Sequence, residues 1–249
     1  GEVYSAVFAP SGGSIASASE DGTVRLWDVE SAECRWTFAG HKGEVYLATF
    51  SNDGRLVVTA SEDCTSRLLS ASSGECERTF EGHLEAVYRA EFSRDGQRVV
   101  TASLDGTAAI WVAATGERAS ALVGHCGQVK FACFSPDGRF AATASEDRSV
   151  KLWDASAGSC LWTFGHEDTV YVAAFSPDSQ LLATACEDGV AAICAVASGQ
   201  RLRMLEGHEA SVSWVEFSAD GQLVVTASWD ETARIWCAQS GACVELLEG

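Results

Sequence analysis

The phrase "GEVYSAVF" at residues 1–8 returns as "GEVYLATF" at 43–50. It comes back altered as "EAVYRAEF" (85–92), "GQVKFACF" (127–134), "DTVYVAAF" (168–175) and "ASVSWVEF" (210–217). A period of this length, sustained through the chain, means one supersecondary unit copied in tandem, which cannot bury its apolar faces alone and must pack on its neighbours. The interval from one histidine to the next along His41, His83, His125, His166 and His208 is 42, 42, 41 and 42 residues. The short interval arises because "FGH" at 164–166 lacks a residue present in "FAGH" at 38–41. A single domain of units at about 1–41, 42–83, 84–125, 126–166, 167–208 and 209–249 is expected.

Inside each unit, short runs of β-branched and small apolar residues alternate with turn signals, as in "FSNDGRLVVTAS", "EDCTSRLL" and "GECERTF". Runs of that length joined by Asp-Gly or Ser-Gly turns form an antiparallel meander, because a tight turn joins only neighbouring antiparallel strands. No 3.6-residue periodicity appears, so the expected class is all-β, with four strands per unit. A four-stranded sheet cannot cover both of its faces, but six sheets stacked radially can, which makes the expected architecture a six-bladed β-propeller.

Specific motifs recur at the same place in the units. "GH" stands at 40–41, 82–83, 124–125, 165–166 and 207–208, followed by "TAS" with an Asp two residues on, and then "RLWD" at 25–28 or "KLWD" at 151–154. Across its whole length the chain resembles the WD-repeat β-propeller family. The resemblance implies a buried hydrogen-bonded chain of His, Ser or Thr, Asp and Trp in each blade. Complete sets are His83, Thr101, Asp105 and Trp111; His125, Thr143, Asp147 and Trp153; and His208, Thr226, Asp230 and Trp236. The second and fifth blades carry Leu69 and Cys194 where the Trp belongs, and the first has no preceding His. Those three blades are expected to be locally weaker. The first and last units each keep their own outer strand, so the seam between "GEVY" and "LLEG" is expected to close by side-chain packing alone. A monomeric closed ring is the expectation, with self-association through that seam, or a larger array, as the alternative.

The same resemblance places the binding surface on the face around the central channel. Its rim would hold the residues flanking the apolar Val of the opening phrase, among them Glu2, Tyr4, Glu44, Tyr46, Tyr88, Lys130 and Tyr171. The residue before each turn Asp adds Glu20, Glu62, Leu104, Glu146, Glu187 and Trp229. All four tyrosines of the protein fall at one repeat position, and four of the six pre-Asp positions hold Glu. Aromatic faces interleaved with carboxylates hold guanidinium or ammonium groups by cation–π contact and charge-assisted hydrogen bonds.

The charge balance points the same way. With 35 acidic against 17 basic side chains, the formal net charge is −18, which opposes direct binding to a phosphate backbone and favours a basic protein or peptide partner. No apolar run is long enough to span a bilayer, and no signal-peptide pattern opens the chain, so no membrane association is expected. The ten cysteines form no Cys-x-x-Cys pair, and Cys34, Cys76, Cys160 and Cys243 merely share one repeat position. Free thiols in a reducing, intracellular and cytoplasmic setting are the expected reading.

All five histidines occupy the Gly-His position, so none is left over for a catalytic triad or a zinc site, and neither a phosphate loop nor a His-Glu-x-x-His motif occurs. No catalytic residue, metal or cofactor is expected. The expected function is a non-enzymatic scaffold that docks a basic peptide or protein on its Tyr- and Glu-bearing face. The alternative is a purely structural repeat domain, cut from a longer array or built as an engineered propeller, with no ligand of its own.

Overall fold

The structure, a computed structural model, describes residues 1–248, so Gly249 of the last unit lies outside the described residues. The described residues form six four-stranded antiparallel sheets, each a meander in chain order, and no helix. This is the fold class of a six-bladed propeller. Blade 1 comprises Val3–Phe8, Ser14–Ser19, Val24–Asp28 and Cys34–Phe38, numbered first to fourth strand. The corresponding strands of blades 2 to 6 span 45–80, 87–123, 129–165, 170–205 and 212–248. The chain divides into two compact units, Gly1–Val123 with blades 1 to 3, and the part from Gly124 onward with blades 4 to 6.

The first hairpin of blades 2 to 6 is closed by side-chain chemistry rather than by backbone shape alone. In blade 2, the Ser51 hydroxyl donates to Asp53 Oδ1 at 2.6 Å and accepts the Leu56 N–H at 3.0 Å, while the Arg55 N–H donates to Asp53 at 3.0 Å. Serine and aspartate are turn formers because their short side chains hydrogen-bond to backbone one to five residues away. The same Ser-to-Asp bond recurs at Ser93, Ser135, Ser176 and Ser218.

Inner strands lack the alternation of a half-solvated sheet because both faces of the sheet are covered. In blade 2, Val57 and Leu69 pack with Ala16, Val24 and Leu26 of blade 1, whereas their chain neighbours Val58 and Leu68 pack with Val99, Ala109 and Trp111 of blade 3. Adjacent residues of a strand point to opposite faces, so a run such as "LVV" serves two cores at once. In the second unit one continuous core runs through blades 4, 5 and 6, from Leu152 through Leu182 and Ile193 to Val224 and Trp236.

Within each unit the fourth strands bind one blade to the next by a second device. Trp36 of blade 1 donates its indole N–H to the Ala71 carbonyl of blade 2 at 2.9 Å, and Trp162 of blade 4 does the same to Val196 of blade 5 at 2.8 Å. Arg78 and Arg203 take this role in blades 2 and 5, donating to Ala114 and Gln239 of the following blade at 3.0 and 2.8 Å. Trp36 lies flat on Gly74, where a Cβ would stand 2.7 Å from the indole and the φ of +73° disfavours any side chain. Gly74→Ala is expected to cost about 2–4 kcal/mol, as left-handed backbone strain plus overpacking. Gly12→Ala, at φ +75° with open space around it, is the control and should cost about 1–2 kcal/mol. Urea unfolding of the two variants measures the difference, which is the contribution of the Trp36 contact; equal losses would mean the indole simply moves aside.

Candidate functional site

Each first strand carries one extra residue relative to its partner. The pairing with the second strand skips Tyr4, Tyr46, Tyr88, Lys130, Tyr171 and Ser213, one per blade. A bulge of this kind leaves the extra residue out of the ladder and re-aims its side chain. Beside each bulge a backbone bond fixes the neighbouring turn: the N–H of Glu20, Glu62, Leu104, Glu146, Glu187 and Trp229 donates to the carbonyl of Glu2, Glu44, Ala86, Gln128, Thr169 and Ser211 at 2.8–3.0 Å. Each bulged residue is thereby held close to the residue that precedes the turn Asp.

In the first unit the result is a ladder of three rings. Tyr4 and Tyr46 have centroids 5.8 Å apart, and Tyr46 and Tyr88 5.5 Å apart, all tilted by about 45° as the ring quadrupole favours. The Tyr4 hydroxyl donates to Glu44 Oε2 at 2.9 Å. Glu62 accepts the Glu44 N–H at 3.3 Å and Glu20 accepts the Glu2 N–H at 3.0 Å, which keeps both carboxylates beside the rings. Leu104 is half-buried at the blade 3 end of the ladder. The field of these carboxylates shows in the tyrosines themselves. The bond to Glu44, then slight burial, then the charges of Glu44, Glu20 and Glu2 push the Tyr4 phenol up to about 12. Burial, with Glu62 and Glu44, raises Tyr46 as well. A site that resists placing a negative charge on its phenols favours a positive charge in the same place.

The second unit is organised differently. Lys130 donates to Gln128 at 2.7 Å and pairs with Glu146 at 2.9 Å, so that carboxylate is already neutralised from within its own blade. Tyr171 faces Trp229 of the next blade at 6.1 Å, and burial together with a hydrogen bond to Glu187 pushes its phenol up to about 12. Trp229 is 66 % exposed. The aromatic and acidic positions are therefore brought together as Tyr4, Tyr46 and Tyr88 with Glu2, Glu20, Glu44 and Glu62 in one unit, and as Tyr171, Trp229 and Glu187 in the other. Sequence reasoning overlooked Trp214, which is 40 % exposed next to the Ser213 bulge and stands edge-on to Phe131 at 6.1 Å. The "SVSWVEF" variant of the repeated phrase was the signal, since a Trp interrupts it there.

Within the blades lies a chain of buried polar side chains. In blade 4 the Trp153 indole donates to Thr143 Oγ1 at 2.9 Å, Thr143 bonds to His125 Nε2 at 2.7 Å, and His125 Nδ1 meets Asp147 at 2.8 Å. The other carboxylate bonds come from the Cys126 N–H and from the N–H and hydroxyl of Ser149. Blades 3 and 6 hold the same chain through His83, Thr101, Asp105 and Trp111, and through His208, Thr226, Asp230 and Trp236. Burial lowers the His41, His83 and His125 pKa values despite the neighbouring Asp. The ring is therefore neutral, with Nδ1–H donating to the carboxylate and Nε2 accepting from the threonine. Burial alone would raise the Asp63 carboxyl, but the Thr65 hydroxyl, the Lys42 N–H and His41 together hold it down at about 2.

Blade 2 keeps His41, Thr59 and Asp63 but has Leu69 in place of the indole. The Arg67 N–H donates to Thr59 Oγ1 instead, at 3.1 Å. The second and third strands pair there only over Leu56–Val58, where the other blades pair over five residues. Blade 1, with no His, keeps the bond from the Trp27 indole to Ser17 Oγ at 2.8 Å.

The six sheets and their buried chain agree with a comparison against known families. The family model described as WD domain, G-beta repeat matches residues 1–28, 32–69, 74–112, 116–154, 158–193 and 199–237. The chain belongs to the WD-repeat family. Each of the five later matches takes the fourth strand of one blade and most or all of the first three of the next, so the WD unit of sequence straddles two sheets. No curated protein matches the chain. WD-repeat propellers are generally non-enzymatic scaffolds that bind proteins or peptides. No helix among the described residues is long and apolar enough to cross a membrane.

Proposed function

We propose that the chain docks a basic, Arg- or Lys-bearing peptide or protein segment on the tyrosine ladder of blades 1 to 3. The observation that carries this reading is the stack of Tyr4, Tyr46 and Tyr88 flanked by Glu2, Glu20, Glu44 and Glu62. A guanidinium over a phenol face gains about 0.5–2 kcal/mol, and a carboxylate beside it adds a charge-assisted hydrogen bond. The net charge of −18 would draw such a partner from a distance and make the encounter faster at low salt. The acidic positions of blade 5, Glu187 beside Tyr171 and Trp229, offer a smaller anchor of the same chemistry.

Fluorescence anisotropy with labelled Arg/Lys-rich peptides tests the reading. Binding should weaken as salt rises; Tyr46→Ala should lose about tenfold in affinity, and Glu62→Gln should flatten the salt dependence, while both retain nearly the parent unfolding midpoint. Acidic peptides that bind as well as basic ones would overturn the proposal, as would Tyr46→Ala losing stability in proportion to affinity. Failure of every peptide to bind would favour a purely structural repeat domain.

A further inference from the structure

In blade 5 the buried polar chain is dismantled at several points at once, and the changes converge on one spot. Elsewhere the turn Asp receives a hydroxyl from the residue two places on, at 2.6–2.7 Å from Thr65, Thr107, Ser149 and Thr232. Blade 5 has Val190, which offers Asp188 only its backbone N–H, at 2.9 Å. In blades 2, 3, 4 and 6 the N–H following the His also donates to that carboxylate, and His Nδ1 meets it at 2.8–3.0 Å. The one-residue deletion before His166 re-routes the backbone so that the His166 N–H donates to Arg148 at 2.8 Å. Neither of those two bonds to Asp188 forms among the described residues. Finally, the serine that all other blades carry two positions before the Asp is Cys186.

The histidine is also turned to a different use. With Cys194 in place of the Trp, the Thr184 hydroxyl receives no indole and donates to the Ala192 carbonyl at 3.4 Å. His166 Nε2 lies 2.9 Å from the same hydroxyl, and the tautomer that carries its proton on Nε2 presents the Nδ1 lone pair, which no Asp188 bond occupies, to a ligand. Phe164 stands edge-on to the imidazole at 4.8 Å and holds the ring plane. A thiol, an imidazole whose Nδ1 has lost its aspartate and a carboxylate short of donors thus share one place, their ligand atoms all within 4.8 Å of one another.

We propose that His166, Cys186 and Asp188 form a binding site for a divalent cation of the zinc type. Thiolate sulfur, imidazole nitrogen and carboxylate oxygen are the donor set that zinc takes tetrahedrally, at about 2.0–2.3 Å. Such bonds place the donors about 3.4 Å apart, so the site closes when the exposed Asp188 side chain swings inward over the buried Cys186. Two anionic ligands and a neutral imidazole balance the cation, and the thiol proton leaves to solvent on coordination. Thr184, through its bond to Nε2, is the outer partner that orients the ligating ring. Three protein ligands leave a fourth position for water.

The direct experiment is a titration of chelator-stripped protein with Co2+, a spectroscopic stand-in for zinc. One equivalent should give the visible bands of tetrahedral cobalt and a thiolate-to-cobalt charge-transfer band, both removed by one equivalent of Zn2+. Cys186→Ser installs the residue found in the other blades, so its fold should survive while the charge-transfer band disappears. Asp188→Asn should weaken Co2+ binding at least tenfold, and Cys194→Ser, a neighbouring buried thiol outside the cluster, should leave the band intact. Absence of the band from the parent protein, or its persistence in Cys186→Ser, would overturn the proposal. If Cys186→Ser proves unfolded by circular dichroism, the Asp188→Asn and Cys194→Ser titrations decide between the same two outcomes.

Discussion

Thr143→Val should cost about 2–5 kcal/mol of unfolding free energy, whereas Thr184→Val should cost about half as much. Both threonines are fully buried on the second strand of their blades, and valine preserves their shape while removing the hydroxyl. The difference lies in what each hydroxyl serves. Thr143 Oγ1 accepts from the Trp153 indole and bonds to His125 Nε2, so its loss strands two buried polar groups, each carrying a desolvation cost of about 1–3 kcal/mol. Thr184 bonds to one ring nitrogen, that of His166, and has no indole to satisfy. Urea unfolding at pH 7.5 with chelator present gives both numbers. A Trp153→Phe variant completes a double-mutant cycle with Thr143→Val, which should return a coupling of about 1 kcal/mol or more. Equal losses for the two threonine variants, with no coupling, would show that the indole bond contributes nothing to stability.

Acidification should unfold the protein through this same buried chain, starting well above the ordinary carboxylate range. Burial first, then the cations Arg67, Arg118 and Lys151 near the respective rings, depress the pKa values of His41, His83 and His125 below 6.5. The unfolded chain binds a proton at each ring near pH 6.5 and the folded chain does so only lower, so stability is fully present above 6.5 and falls as pH drops below it. The paired carboxylates extend the fall. Asp63 is held at about 2, and Asp105, Asp147 and Asp230 are held below their ordinary value, so their contribution is lost as pH drops from about 4 toward 2. On the alkaline side the sign reverses. Burial pushes the Cys194 thiol up to about 12 from 9.0, so stability declines once pH exceeds about 9. The denaturation midpoint plotted against pH should therefore form a plateau between about 7 and 8.5 with a long acid shoulder. A midpoint unchanged from pH 7.5 to 5 would show that the histidines are not held neutral by the fold.

Much of the architecture was legible without coordinates, for a reason particular to repeats. Each copy of the phrase is an independent report on the same local structure, so the strand and turn pattern read from "FSNDGRLVVTAS" gained support at every recurrence. The residue types of the His, Thr, Asp and Trp chain were visible too, through the resemblance to the WD-repeat family that the recurring "GH" and "RLWD" motifs carry.

Side-chain direction was not legible. The four tyrosines share a repeat position, but nothing in their spacing says that each is a bulged residue left out of its ladder, as the pairing around Tyr4, Tyr46, Tyr88 and Tyr171 shows. A bulge is a property of two strands in register, and a single strand's sequence carries no record of its partner's count. Blade 5 makes the same point. Read in sequence, His166 is one more member of a set of five, and no metal is expected from it. In three dimensions it has left that set, because a deletion before His166 and the changes at Cys186 and Val190, some twenty residues on, act on the same spot. The sequence by itself determined the number of blades and their strands, since these depend on local pattern and repetition, and its family resemblance supplied the residue types of the buried chain. Only the tertiary structure decided which tyrosines touch, which glutamates flank them and which histidine lost its aspartate, since those facts depend on distances between residues that the chain order keeps apart.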